Sequence, residues 1–99
     1  MYYMITGKDN DDSLEKRRSV RGAHIARLEQ LKAEDRLLLA GPSYNQDMDP
    51  TGSHGFSGSL IVAEFDSLST AKAWAAADPY VTAEVYKQIE IHPFKKVLP

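Results

Sequence analysis

Of the three histidines in this sequence, His24 is the one to which its neighbours give an inward direction. Val20, His24, Leu28 and Leu31 recur at i, i+4, i+8 and i+11, the apolar stripe of an amphipathic helix. A leucine would pack well at such a position. An imidazole placed there loses hydration, and hydrogen bonds must replace it. Two readings follow. In one, His24 is a core or interface residue bonded to a carbonyl or a carboxylate. In the other it lines a cavity as a general base, a role that suits a side chain titrating near neutrality.

Asp78 stands directly before Pro79. Locally it reads as a helix cap, because proline disfavours helical geometry in the preceding residue and suits a helix's first position. A capping carboxylate keeps spare lone pairs and can also accept from an imidazole. Arg17, Arg18, Arg21 and Arg27 make the segment around His24 basic. Most of them read as a solvated face paired with Glu15 and Glu29. Arg21, one turn before His24, is the exception. It is placed to share a pocket with the histidine and to clamp the carboxylate of a small anionic substrate.

The other chemical signals are weaker. Trp74 and Tyr80 read as core aromatics. His54 and His92 occupy loop or strand-end positions and, with His24, lack the close spacing of metal ligands, so no metal is expected. No P-loop or dinucleotide fingerprint occurs, and the glycines of Gly52–Gly58 precede a strand rather than a helix, so no cofactor is expected. The absence of cysteine removes any thiol nucleophile, thiolate metal site or disulfide.

The elements that must position these residues are legible from the pattern. Tyr2–Thr6 reads as a first strand ended by Gly7. Asp12, three residues before Glu15, resembles a capping box and opens a helix to about Glu34. Gly22 suggests a break near Ser19. Arg36–Ala40 reads as a second strand ended by Gly41-Pro42. The polar stretch Gly41–Ser57 then reads as a long loop, either a loose hairpin connection or a binding lid. Gly58–Phe65 is a third strand, apolar throughout on one face and partly so on the other, which suits a sheet covered on both sides. Ser67 or Ser69 caps an alanine-rich helix, Asp78 caps a short one from Pro79 to about Ala83, and Val85–Ile91 alternates as a fourth strand. The order is βαββαβ, the ferredoxin-like α+β pattern, with an antiparallel sheet and helices on one face. In that layout His24 and Asp78 share a sheet face and can approach one another. The opposite face needs cover, and a second copy of the chain supplies it most simply.

Size and charge set limits. Ninety-nine residues make one domain spanning 1–99, with an adequate but thin core that also favours a homodimer. The net charge of −2 lacks the basic excess of a nucleic-acid-binding domain. No apolar run approaches the ~20 residues of a membrane span, and the first residues do not read as a signal peptide. The lack of cysteine fits a reducing, cytoplasmic setting.

Several segments carry a family likeness. SLEKRRSVRGAHIARL (Ser13–Leu28), RLLLAGP (Arg36–Pro42), GFSGSLIVAEF (Gly55–Phe65), AWAAADPYV (Ala73–Val81) and PFKKV (Pro93–Val97) together resemble the YciI-like family. The resemblance implies a dimeric α+β barrel in which two ferredoxin-like sheets pack face to face. Relatives in that superfamily act on lactones and related small carboxylates, and include muconolactone isomerases and chloromuconolactone dehalogenases. It also implies a His–Asp active-site pair, which falls on His24 and Asp78.

Two functions from different classes follow. One is a small-molecule enzyme of lyase, isomerase or dehalogenase type. His24 abstracts a proton next to a carbonyl or lactone, Asp78 orients the imidazole, and Arg21 holds the substrate. Gly41, Pro42, Ser43 and Tyr80 complete the expected substrate contacts, with backbone amides after Gly41 offered to the developing oxyanion. The other is a non-catalytic metabolite-binding or protein-interaction module of the same fold.

Overall fold

The computed structural model describes residues 1–99. Four strands, β1 (Tyr2–Asp9), β2 (Leu37–Tyr44), β3 (Phe56–Glu64) and β4 (Tyr86–Phe94), form one antiparallel sheet in the order β2-β3-β1-β4. The long helix α1 (Leu14–Ala33) links β1 to β2, and α2 (Leu68–Ala76) with the short α3 (Pro79–Thr82) links β3 to β4. This is the expected βαββαβ order. No helix is long and apolar enough to cross a membrane.

Alternation along the strands decides where the core lies. Tyr3 and Ile5 of β1 stand opposite Ala63 and Ile61 of β3, and all four point toward the helices. Leu28 and Leu31 of α1 and Ala71 and Ala75 of α2 close on them, with Phe65 at the edge. Met4, Val62 and Leu39 share the opposite face, where Leu39 is 46% exposed.

The strands outrun their sequence signals. Gly7 does not end β1 but lies inside it, where the Tyr86 ring occupies the space a Cβ would need. Gly41 and Pro42 do not end β2, which continues to Tyr44. β2 is an edge strand, so a proline costs it no ladder partner on the outer side. The same holds for Pro93 within β4, the other edge. The expected long loop therefore shrinks to residues 45–55 at the tip of a β2–β3 hairpin.

Helix α1 is unbroken at Gly22, which is exposed and has open space where a Cβ would stand. Its cap position is Ser13 rather than Asp12. Asp12 takes a left-handed turn at φ 55° just before it. The buried stripe runs Arg17, His24, Leu28, Leu31, so Arg17 and not Val20 opens it. The helix ends in a Schellman pattern, with Arg36 N–H donating to Leu31 O and Asp35 in the left-handed position usually given to glycine. Ser67 and Thr70 form a capping box on α2, and Asp78 caps α3.

Candidate active site

His24 lies two helical turns beyond Arg17 on the buried side of α1, and Asp78 lies in the α2–α3 turn against it. A carboxylate only accepts, so the His24 Nδ1–H donates to Asp78. The distances are 2.8 Å to Oδ1 and 3.0 Å to Oδ2, and both residues are buried. Asp78 Oδ1 also accepts from the Tyr80 amide at 2.9 Å. The capping role and the imidazole-holding role are thus performed by one side chain. Arg27 approaches Asp78 Oδ2 at 3.4 Å, donates to the Trp74 carbonyl and lies 4.2 Å from the Trp74 ring centre.

The other side of the imidazole differs. Nε2 makes no hydrogen bond within the protein, and it is not among the buried polar atoms left without a partner. It therefore borders open space. That space is a cavity of about 450 Å³ between α1 and the β2–β3 hairpin, lined by His24 among others. The Tyr80 ring stacks on His24 with centres 3.8 Å apart and planes 6° from parallel, which fixes the imidazole plane. With Nδ1 carrying the proton, Nε2 presents its lone pair to the cavity.

Arg21, Gly41, Pro42 and Tyr80 all line this cavity, as does His24. Ser43 does not. It belongs to a groove on the opposite sheet face, and its hydroxyl meets that of Ser57 at 2.8 Å. Pro42 has no amide hydrogen, so the strand after Gly41 offers the cavity no oxyanion donor there.

Arg17 corrects the reading of the basic segment. It is not a solvated arginine but 5% exposed, and it donates to both oxygens of Asp9 at 2.7 and 2.9 Å. It also donates to Gly58 O and Ser59 Oγ, and its guanidinium lies 5.2, 5.0 and 6.0 Å from the rings of Phe56, Tyr80 and Tyr86. Arg17 and Phe56 line the cavity and Asp9 holds Arg17 in place, and pattern reading missed all three. One signal was present, since Arg17 stands seven residues before His24 and so shares its helix face. Arg27 is also packed rather than solvated. Only Arg18 matches the expected pairing, with Glu15 at 2.9 Å.

Burial raises the Tyr80 phenol above its ordinary value, and it pushes Tyr86 up to about 12. Two of the five tyrosines should therefore ionise late in a 295 nm titration. Below pH 10, folded and unfolded chains both hold the Tyr86 proton, and this group adds no pH dependence. Above it the unfolded chain ionises first, so stability is lost as pH rises toward about 12. The loss from Tyr86 is of the order of 2 kcal/mol, read as a lower urea midpoint at pH 11.5 than at pH 9. Five tyrosines titrating together near pH 10 would contradict it.

Fold and site together define a ferredoxin-like α+β domain that carries a buried His–Asp pair beside a cationic cavity. The chain belongs to the family of the YCII-related domain, whose model matches residues 1–95. It is 56% identical over 97 residues to the protein YciI of Escherichia coli O6:H1, covering 98% of this chain and 99% of that one. It is 52% identical over 97 residues to an uncharacterized protein of Haemophilus influenzae, with the same coverage. Among solved structures it resembles 5-chloro-2-hydroxyhydroquinone dehydrochlorinase from Burkholderia phenoliruptrix, in complex with 2,5-dihydroxybenzoquinone. That match has a TM-score of 0.85 and 27% identity, over 96% of this chain and 94% of the other.

Proposed function

We infer that this protein is a small-molecule enzyme of lyase, isomerase or dehalogenase type. His24 is the base, and it takes a proton next to a carbonyl or lactone, or from a hydroxyl conjugated to a leaving group. Asp78 holds the imidazole in the Nδ1–H form and stabilises its charged state. The observation that carries this reading is the division within His24: Nδ1 is held by both oxygens of a buried carboxylate, while Nε2 is free at a cavity.

The cavity also speaks for an anionic substrate. It is lined by Arg17, Arg18 and Arg21 and by no carboxylate. Arg17 and Arg18 are already paired, whereas Arg21 has no partner. The likeness to a dehydrochlorinase bound to a hydroxyquinone supports a small oxygenated ring as substrate. The test is a panel of unsaturated lactones and chlorinated hydroxyquinols, 5-chloro-2-hydroxyhydroquinone among them, read by chloride release and solvent-deuterium uptake. A His24→Ala variant that keeps full turnover on any substrate found would sink the reading.

The same reading includes a homodimer formed through the uncovered sheet face. Met4, Leu39 and Leu60 form an apolar patch there, which a second copy would bury. Sedimentation equilibrium should give twice the 11.0 kDa chain mass, and Leu39→Lys should give a monomer. A wild-type chain that sediments as a monomer at tens of micromolar would rule the dimer out.

A further inference from the structure

His24 accounts for the proton, but not for the negative charge that its removal leaves behind. Strand β2 does not supply a donor, because Pro42 has no N–H and Ser43 lies on the other face. The Tyr80 hydroxyl has the missing properties. Its residue lines the cavity, and its proton meets no acceptor within hydrogen-bond distance. Yet the hydroxyl is not one of the two sealed polar atoms that lack partners, which are Arg27 Nη1 and the Tyr86 hydroxyl. It therefore opens on the cavity.

The charged groups around that hydroxyl are Arg17, Arg21 and Asp78. A guanidinium has donors only, so neither arginine can take the phenol's proton. Asp78 is engaged by hydrogen bonds from His24 and the Tyr80 amide, with Arg27 Nη1 at ion-pair distance, 3.4 Å. A hydroxyl flanked by two guanidiniums, with its own proton unassigned and the one nearby carboxylate already engaged, is built to receive an oxygen that carries negative charge. The parallel stack at 3.8 Å sets the phenol and the imidazole face to face, and both residues line the cavity. Arg21 stands on the rim with no ion pair of its own.

Resting on the enzymatic reading above, we propose that Tyr80 and Arg21 hold the oxygen that becomes negative when His24 removes a proton, so the ligand is an enolate- or phenolate-forming molecule. In this step the proton goes to Nε2, and the electron pair of the broken bond delocalises onto the substrate oxygen. Tyr80 keeps its own proton and donates it only as a hydrogen bond. A phenol carries its proton at neutral pH and so is a donor there, and burial only moves its ionisation further up. Donors placed in advance at the site of developing charge are the efficient form of such stabilisation. Tyr80→Phe isolates the claim, because it keeps the ring that stacks on His24 and removes only the hydroxyl.

The probe is 2,5-dihydroxybenzoquinone, whose anions are followed by visible absorbance, with 2,5-dimethoxybenzoquinone as the uncharged comparator. Wild type should bind the dihydroxy compound saturably. Tyr80→Phe and Arg21→Met should each weaken it about tenfold or more, while changing the comparator less than about twofold. The thermal midpoint of Tyr80→Phe should fall by no more than a few degrees, since the hydroxyl proton has no partner to lose and only its oxygen faces the Arg17 guanidinium. Unchanged affinity in Tyr80→Phe, with turnover still lost in His24→Ala, overturns the tyrosine's role and leaves the base in place. No saturable binding by wild type overturns the proposal together with the substrate class. A Tyr80→Phe chain that fails to fold contradicts the unpartnered hydroxyl and overturns it too.

Discussion

Replacing Arg17 by methionine should cost about 3–5 kcal/mol of stability, the range for breaking a buried ion pair by removing one partner. In a chain of this length that lowers the thermal midpoint by more than about 10 °C. Asp9 would be left 7% exposed, with the Ser13 hydroxyl as its remaining partner. Gly58 O and Ser59 Oγ would lose their donor as well. The loss reaches the site, because the Arg17 guanidinium lies 5.0 Å from the centre of the ring on which His24 stacks. Arg17→Lys should recover only part of the stability, since an ammonium cannot match the two-pronged bond to Asp9. Removing both charges, as Arg17→Met with Asp9→Leu, should restore much of what the single change loses. Urea unfolding of the four proteins forms a double-mutant cycle. A single Arg17→Met within 1 kcal/mol of wild type would mean that the pair is not desolvated in solution.

Arg17 also shows where sequence reading stops. His24 and Asp78 were legible for local reasons. One sits four and seven residues from leucines on a helical stripe, and the other directly precedes a proline. Each signal lies within a few residues, and the βαββαβ order placed both on one sheet face. Arg17 gave the opposite signal, because a charged residue beside Lys16 and Arg18 reads as surface. Its partner Asp9 sat in what read as loop, because β1 outlasts its apolar residues. Two opposite charges then bury each other, and neither is apolar enough to announce it. Gly7 misled for a similar reason. It is a space for the Tyr86 ring, 79 residues away in sequence, rather than punctuation. Gly41-Pro42 looked like a strand's end because proline removes a ladder donor. That matters only where a neighbouring strand needs the donor, and β2 has none on its outer side.

Asp78→Asn should separate the two jobs that this one side chain performs. An asparagine still caps α3, because its carbonyl oxygen can accept from the Tyr80 amide. The thermal midpoint should then move by only a few degrees. The catalytic consequence should be far larger. Asp78 fixes the proton on Nδ1 by accepting from it with both oxygens. The amide of asparagine turned toward the ring donates instead, which places the proton on Nε2 and removes the lone pair from the cavity. A base held in the wrong tautomer loses on the order of 10³–10⁴ in kcat, as orienting carboxylates in other His–Asp systems do. KM should change much less, since Arg21 and the cavity walls are untouched. Asp78→Ala removes the cap as well. It strands the Nδ1–H, the Tyr80 amide and Arg27 together, and should add a stability cost of about 2–4 kcal/mol. A purely structural pair predicts a different pattern, in which Asp78→Asn and His24→Gln both lower the midpoint strongly and leave any turnover or probe binding intact. Melting curves and single-substrate kinetics on these three variants distinguish the two, because a group that acts on protons through its tautomer changes rate without changing fold.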